Sequence, residues 1–142
     1  MKYLTRKIRG SRERWEKACQ KYREHLATIL PELPISMQRF SEITFHDARI
    51  EGVLSPEAGH LIITVDATRN PWGPVGWYQI DFFGVRGQGG LYEAIGEEWL
   101  YAEVHLHEVA GFEYHVDTTG FEFWIAADDV RWHQVEPDEA KT

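Results

Sequence analysis

The spacing of apolar residues changes once along the chain, and this change restricts the fold most strongly. Between Ser11 and Leu30 apolar residues recur every three or four positions, which predicts an amphipathic helix with Ser11 as N-cap and Pro31 beyond its end. From Phe45 onward the period is two, which is typical of strands with one buried face. These alternating segments lie at about 45–54, 60–67, 77–85, 99–108, 112–117, 121–127 and 130–135.

Short turns rich in Gly and Pro join the alternating segments. This pattern predicts an α+β fold, mainly an antiparallel β-sandwich or curved sheet of about seven strands with one N-terminal helix. The 142 residues predict a single domain, 1–142, with the helix at about 11–30, the β region at about 45–135 and a flexible acidic tail at 136–142. The glycine-rich stretch 84–96 is interpreted as a mobile loop, because it lacks the Gly-Lys-Ser/Thr ending of a phosphate-binding loop.

Charge is distributed unevenly along a chain whose net charge is −8. Residues 1–25 hold nine basic and three acidic residues, a net of +6, and the remainder holds six basic and 20 acidic residues, a net of −14. The basic segment either serves an anionic partner or lies across the protein's own acidic surface, and we favour the second interpretation. The acidic body argues against nucleic acid as a partner. One cysteine and no long apolar run predict a cytoplasmic protein with no membrane partner.

Segment 101–125 brings histidines together if alternation sets the register of a hairpin. A three-residue loop at 109–111 would place Val104 opposite Val116 and Leu106 opposite Tyr114, with all four facing the core. The outward face would then hold a cluster of His and acidic residues: Glu103, His105, His107, Glu113, His115, Asp117 and Glu122.

Two interpretations of that outward face compete. Three histidines, His105, His107 and His115, with Glu103 as a further ligand or supporting carboxylate, have the residue types of a site for zinc or another divalent transition metal. The same residues also suit a solvated sheet face on which opposite charges pair across strands, with no cofactor. We favour the second interpretation.

A His-Asp pair, His46 and Asp47, stands at the predicted start of the first strand. Alternation places His46 on the buried face with Ala48 and Ile50, and Asp47 on the opposite face. A buried histidine requires a partner, such as a backbone carbonyl or a carboxylate. The pair is therefore predicted to be a polar anchor of the sheet and not a catalytic acid–base pair.

Four short motifs carry a resemblance to a known family. They are Met1-Lys2-Tyr3, Phe45-His46-Asp47-Ala48-Arg49-Ile50, Leu61-Ile62-Ile63-Thr64-Val65-Asp66 and Trp99-Leu100-Tyr101-Ala102-Glu103. Because these four motifs occur in this order, the chain resembles an uncharacterised bacterial domain-of-unknown-function family. It is also distantly similar to toxin-immunity-type proteins. The resemblance implies no catalytic residue.

The expected function is that of a non-enzymatic binding module of immunity-protein type. An acidic, aromatic-rich sheet suits a toxin-like or other basic protein partner. The candidate binding residues are His46, Asp47, Trp72, Trp77 and Trp124, with Trp99 as a further anchor if it is exposed. The alternative is a metal-dependent enzyme or metal-binding protein that uses the three-histidine face. An exposed aromatic sheet would also suit a homodimer.

Overall fold

The computed structural model describes residues 1–140, with side chains through residue 138. Helices α1 (Arg12–Ile29) and α2 (Ile35–Phe40) come first, and a single helical turn, α3 (Pro137–Ala140), comes last. The strands between them are β1 (Arg49–Glu57), β2 (His60–Asp66), β3 (Trp77–Phe83), β4 (Gly87–Gly89), β5 (Trp99–His105), β6 (Phe112–Thr118), β7 (Glu122–Ala127) and β8 (Asp129–Val135). The predicted acidic tail thus contains α3, and its residues 141–142 lie outside the described part. Over residues 1–140, no helix has both the length and the apolar composition needed to cross a membrane.

Within the described residues the strands form two antiparallel sheets of four. The first sheet has the order β1-β2-β3-β8 and the second the order β4-β7-β6-β5. Aromatic side chains join the sheets, since the Phe82 ring of the first sheet lies 6.3 Å from the rings of Phe112 and Tyr114 in the second. One apolar cluster fills the space between them. The predicted α+β fold with a β-sandwich is therefore confirmed.

The two early helices close one side of this core. Helix α1 begins where the sequence predicted, because the Ser11 hydroxyl accepts a hydrogen bond from the N–H of Arg14 at 3.3 Å. Helix α2 buries Met37 and Phe40 completely, and the Phe40 ring lies 5.1 Å from that of Trp132 in β8. Trp99 is also buried, which removes it from the candidate anchors.

The glycine-rich stretch contains a strand that the sequence analysis missed. Strand β4 pairs with β7, and the Trp124 ring lies directly over its glycines. A Cβ atom at Gly89 would stand 2.5 Å from Nε1 of Trp124, so this close approach requires glycine. The prediction of a mobile loop is wrong at 87–89, and the strand count rises from seven to eight.

The His46–Asp47 pair lies in a turn before β1 and not at the start of a strand. Asp47 has φ of 67°, a left-handed conformation that interrupts any alternation. The turn joins the edge of β5, since Asp47 N–H donates to the carbonyl of Trp99 and Trp99 N–H donates to that of Ala48, both at 2.7 Å. The prediction of opposite strand faces for His46 and Asp47 is therefore wrong.

The β5–β6 hairpin has a register two residues away from the predicted one. Val104 opposes Tyr114, His105 opposes Glu113, and Glu103 opposes His115. The connecting loop is longer than three residues because β5 ends at His105, so Leu106 is 41% exposed and not in the core. A shift of two preserves the face of every residue within the strands. Glu103, His105 and His115 therefore keep the predicted outer face.

Candidate functional site

The first nine residues, which we call the strap, lie across the outer face of the second sheet. The Glu103 carboxylate accepts hydrogen bonds from the backbone N–H groups of Lys2, Tyr3 and Leu4 at 3.0, 3.0 and 2.6 Å. Glu103 is 0% exposed as a result. The predicted solvated face is in fact covered, and this correction follows from contacts between residues about a hundred positions apart.

Two arginines fasten the end of the strap to the same sheet. Arg6 binds both carboxylate oxygens of Asp117, the shortest contact being 2.8 Å, and also donates to the carbonyl of Thr118 at 2.7 Å. Arg9 contacts Oδ2 of Asp117, which it shares with Arg6, and donates to the carbonyl of Leu4 at 2.7 Å. The buried Asp117 charge is thus fully paired. For Arg6 and Arg9 this confirms the interpretation that the basic segment lies on the protein's own acidic surface, whereas the basic residues of α1 are exposed.

Glu103 stays ionised in its buried position. Burial by itself raises the pKa of Glu103, but the hydrogen bonds from His105 and from the N–H groups of Leu4, Lys2 and Tyr3 outweigh it and lower that pKa to about 2. The shortest His105 contact, from Nε2 to a Glu103 oxygen, measures 2.9 Å. The carboxylate therefore attaches the strap to the second sheet.

The predicted metal ligands are only partly brought together. The rings of His105 and His115 lie 5.6 Å apart, and each ring binds a carboxylate, Glu103 and Glu113 respectively, at 2.9 Å. His107 lies away from them in the hairpin loop, where its Nδ1 accepts the N–H groups of two loop residues. Among the side chains of residues 1–138, no group of three or more His, Cys, Asp or Glu is arranged to hold a metal ion.

A row of four rings runs over the surface beside the strap. The His46 ring lies 5.4 Å from that of Trp72 and 5.1 Å from that of Tyr101, which in turn lies 4.5 Å from Trp15. The guanidinium of Arg9 sits 4.7 Å from the centre of the Tyr101 ring. Trp72 ends the row with 75% of its surface exposed. We call these residues the aromatic row.

His46 holds the row in place. Its Nδ1 donates to the carbonyl of Leu100 at 2.6 Å, which confirms the predicted need for a backbone or carboxylate partner. Its Nε2 lies 3.4 Å from a carboxylate oxygen of Asp47, so the two side chains meet although the alternation placed them apart. His46 therefore anchors the turn to β5, and its ring packs near that of Trp72.

The loop that carries Trp72 is fixed to the His46 turn through Asn70. The Asn70 amide is 6% exposed; it donates to the carbonyls of Thr44 and Pro74 at 2.7 and 3.0 Å and accepts from the N–H of Trp72 at 3.2 Å. Gly73 packs so tightly that a Cβ atom there would stand 2.1 Å from the Thr44 carbonyl. Trp72 is thus exposed on a loop with a defined conformation.

Strand β5 is an edge strand, and its neighbours cover that edge incompletely. From α1, the Tyr22 hydroxyl accepts the N–H of Val104 at 2.9 Å and His25 Nε2 lies 3.3 Å from its carbonyl. The His46 turn occupies the backbone of Trp99 and Leu100, as described above. Ala102 lies between these contacts and points its N–H and C=O the same way as Val104. Neither group has a partner in the described part of the chain.

A cleft of about 220 Å³ opens at this uncovered position. Ala102, Tyr22 and Tyr114 line it, together with the rings of His46 and Trp72. The remaining lining residues are Leu4, Ser41, Ile43, Thr44, Trp99, Leu100 and Tyr101. Tyr22, Ala102 and Tyr114 were not among the predicted site residues, because the spacing of apolar residues identifies Tyr22 and Tyr114 only as packing residues.

The other candidate tryptophans do not reach this region. Trp77 pairs with Asp66 and Val135 in the first sheet and is half-buried, whereas Trp124 packs on the β4 glycines. Asp47 is nearer, since it lines a second, polar cleft of about 270 Å³ that adjoins the His46 turn. The other residues that line the polar cleft are Arg49, Glu51, Asp66, Thr68, Arg69 and Glu98. Of the predicted binding residues, the structure therefore brings together His46, Asp47 and Trp72.

Comparison with known proteins identifies a family and no closer relative. No curated protein and no solved structure gives a significant match to the chain. One family, described as "Protein of unknown function (DUF4085)", matches residues 2–125, a range that holds the strap from Lys2 onward, α1, the aromatic row and both clefts. Because this match spans nearly the whole chain, the protein belongs to the DUF4085 family of proteins of unknown function.

Proposed function

We propose that the protein is a non-enzymatic binding module of immunity-protein type, which binds a toxin-like or other basic protein partner through the surface around Trp72. The observation that carries this proposal is the 75% exposure of a tryptophan on a loop fixed by Asn70 and Gly73. A ring on a loop of fixed backbone costs less ordering of the chain on binding, and tryptophan is enriched among the residues that dominate interface energies.

The charges near Trp72 support a basic partner. The polar cleft beside the His46 turn contains four carboxylates, from Asp47, Glu51, Asp66 and Glu98, against two arginines. The arginines of the strap bind Asp117, which does not line the polar cleft, so the excess of carboxylates there persists. Complementary charge raises association rates and selects among partners.

The sole cysteine supports a non-enzymatic role. Cys19 lies on α1 and is half-buried. Burial raises the pKa of its thiol, which disfavours the thiolate form that a nucleophile requires. Cys19 therefore suits packing better than covalent chemistry.

The test is binding to basic proteins encoded beside its gene, measured by calorimetry with the purified chain. We expect Trp72→Ala to weaken the affinity at least about 30-fold, as for a residue that dominates an interface. The matched control is Val109→Ala, which truncates another exposed apolar residue, in the hairpin loop and outside the lining of either cleft. An unchanged affinity for Trp72→Ala, or the absence of binding to every such protein, would contradict the proposal.

The metal-dependent alternative retains one supporting observation. Nδ1 of His115 is buried without a hydrogen-bond partner, and burial lowers the pKa of that ring, which keeps the nitrogen free of a proton. Addition of zinc to untagged protein should then raise the melting temperature, and His115→Ala should abolish the rise. No bound metal after purification and no thermal shift on adding zinc would reject this alternative.

A homodimer is a further expectation, for which the exposed aromatic row supplies a suitable surface. Light scattering after size-exclusion chromatography measures the mass directly. A mass near 33 kDa, twice the 16.5 kDa of the chain, would support a dimer, and Trp72→Ala should return it to the monomer mass.

A further inference from the structure

We propose that the cleft at Ala102 is a binding site for a small planar molecule that carries a primary carboxamide or a cyclic amide. The proposal concerns a small ligand and does not depend on the protein partner proposed above. It is carried by three polar groups with unused hydrogen-bonding capacity that line one cleft: the Ala102 backbone and the hydroxyls of Tyr114 and Tyr22.

The Ala102 backbone defines the polar edge of the ligand. In an extended strand the N–H and C=O of one residue point to the same side, so Ala102 offers a donor and an acceptor close together. A carboxamide presents the complementary pair, an oxygen that accepts and an N–H that donates. The same pairing occurs between two hydrogen-bonded residues of an antiparallel ladder, and this complementarity identifies the amide group.

The neighbours of Ala102 exclude an added peptide strand. Val104 is already bound by Tyr22 and His25 of α1, and the backbone of Trp99 and Leu100 is bound by the His46 turn. A strand would need several consecutive free residues on this edge. One free residue between two occupied positions suits a single amide group on a small molecule.

The Tyr114 hydroxyl supplies a second donor at the base of the cleft. Tyr114 is 4% exposed, and its hydroxyl has no hydrogen bond to any described residue. Tyr114 is one of the residues that line the cleft. Burial holds the pKa of Tyr114 well above its ordinary value, which keeps the O–H as a donor. It is therefore placed to donate to the second lone pair of an amide oxygen.

The Tyr22 hydroxyl adds a third donor. Its oxygen accepts the N–H of Val104, which leaves the O–H proton free to donate. Burial raises the pKa of Tyr22 to about 12, so the proton stays on the oxygen. The cleft thus offers donors from Ala102, Tyr114 and Tyr22 beside the Ala102 carbonyl, and an amide oxygen can accept from two of them.

The walls and the volume determine the rest of the ligand. Leu4, Ile43 and Trp99 form apolar sides, and the rings of His46 and Trp72 stand at the rim. A cleft of about 220 Å³ lies below the usual size of a site for a drug-sized ligand and accommodates a single ring with its substituent. Benzamide satisfies both requirements and serves as the probe.

The test is a titration of the ¹⁵N-labelled protein with benzamide, followed by amide chemical shifts. We expect a Kd of about 1 mM or tighter, with the largest shifts at Ala102 and its neighbours. N,N-dimethylbenzamide lacks the N–H donor, and benzoate lacks the N–H and carries a charge. Both should bind at least about 10-fold more weakly than benzamide.

Variants separate the Tyr114 contribution from folding. Tyr114→Phe should weaken benzamide at least about fivefold while its unfolding midpoint stays that of the parent chain, because the hydroxyl has no partner to lose. Tyr92→Phe, the same change at an exposed residue outside the cleft, should leave the affinity unchanged. No shift at Ala102 up to about 20 mM benzamide, equal binding of the dimethyl compound, or an unchanged affinity for Tyr114→Phe would each overturn the proposal.

Discussion

Two neighbouring positions of β5 differ in how completely their polar groups are satisfied. At Glu103 the carboxylate receives three backbone N–H groups and a histidine, whereas at Ala102 the N–H and C=O have no described partner. The buried, fully paired Glu103 cluster indicates a structural role, whereas the half-buried Ala102 backbone opens on a cleft that a ligand can enter. The contrast teaches that the histidine-rich face stabilises the fold, while the aromatic cleft beside it is the better candidate for binding.

Removal of the Glu103 carboxylate should have the largest effect. Glu103→Ala leaves three N–H groups and His105 without their acceptor in a buried position, and we expect a loss of about 3–5 kcal/mol in the free energy of unfolding. Urea denaturation measures it. Glu108→Ala, at an exposed loop position, should change that free energy by less than about 0.5 kcal/mol. A loss below about 1 kcal/mol for Glu103→Ala would show that the strap contributes little.

Acid should have the second largest effect, because it weakens the hydrogen bonds between the strap and the Glu103 carboxylate. The pKa of Glu103 is about 2 in the folded chain against an ordinary 4.5, so its contribution is complete above pH 4.5 and disappears as the pH falls towards 2. The full contribution corresponds to about 3 kcal/mol. Urea midpoints of the parent chain and Glu103→Gln, measured between pH 5 and 2.5, should converge as the pH falls. Parallel curves would contradict the assignment.

Loss of the Tyr22 hydroxyl should have an intermediate effect. Tyr22→Phe removes the acceptor of the Val104 N–H at a half-buried position, and we expect a loss of about 1–2 kcal/mol in the free energy of unfolding. Hydrogen exchange at the Val104 amide should accelerate in parallel. An unchanged exchange rate would mean that this amide has another acceptor.

The matching change at Tyr114 should have the smallest effect on stability. Tyr114→Phe removes a hydroxyl without a described partner, so we expect a change of less than about 0.5 kcal/mol or a slight gain. Comparison of both tyrosine variants in one denaturation series tests the contrast between satisfied and unsatisfied groups directly. A loss above about 1 kcal/mol in the free energy of unfolding for Tyr114→Phe would show that the Tyr114 hydroxyl, like that of Tyr22, has a stabilising partner.

Local patterns in the sequence predicted the regular elements well. Helix α1 and its Ser11 cap follow from spacing and from one hydroxyl, and the seven alternating segments all correspond to strands. Strand β4 was not predicted because Gly87-Gln88-Gly89 has no apolar alternation. Its two glycines lack a Cβ atom, and this leaves space for the Trp124 ring of β7. Strand formation there is a property of the partner strand.

Loop chemistry limited the prediction of register. Nδ1 of His107 accepts two N–H groups of the loop, and the loop between β5 and β6 is longer than predicted. The observed register of the hairpin therefore differs from the predicted one by two residues. The even shift preserved the faces, so Glu103, His105 and His115 were correctly grouped and His107 was not. At His46–Asp47, one left-handed residue ended the alternation that Ala48 and Ile50 suggested.

Contacts distant in sequence account for what could not be predicted. The strap meets Glu103 and Asp117 across about a hundred residues, and no local pattern shows such a contact, although the opposite charges of the two segments favoured it. The cleft depends on the spacing between α1 and the His46 turn along one strand edge. Neither distance is determined by residue types in a single window.

The hydrogen bond from Leu4 to Glu103 joins residues 99 positions apart, and this separation has a consequence for the order of folding. Closing so long a loop costs entropy before any contact repays it, so we expect the strap to dock after the two sheets have formed. Interactions that are absent from the transition state govern the rate of unfolding and leave the rate of folding nearly unchanged. The strap thus determines mainly how long the native chain persists once it is made.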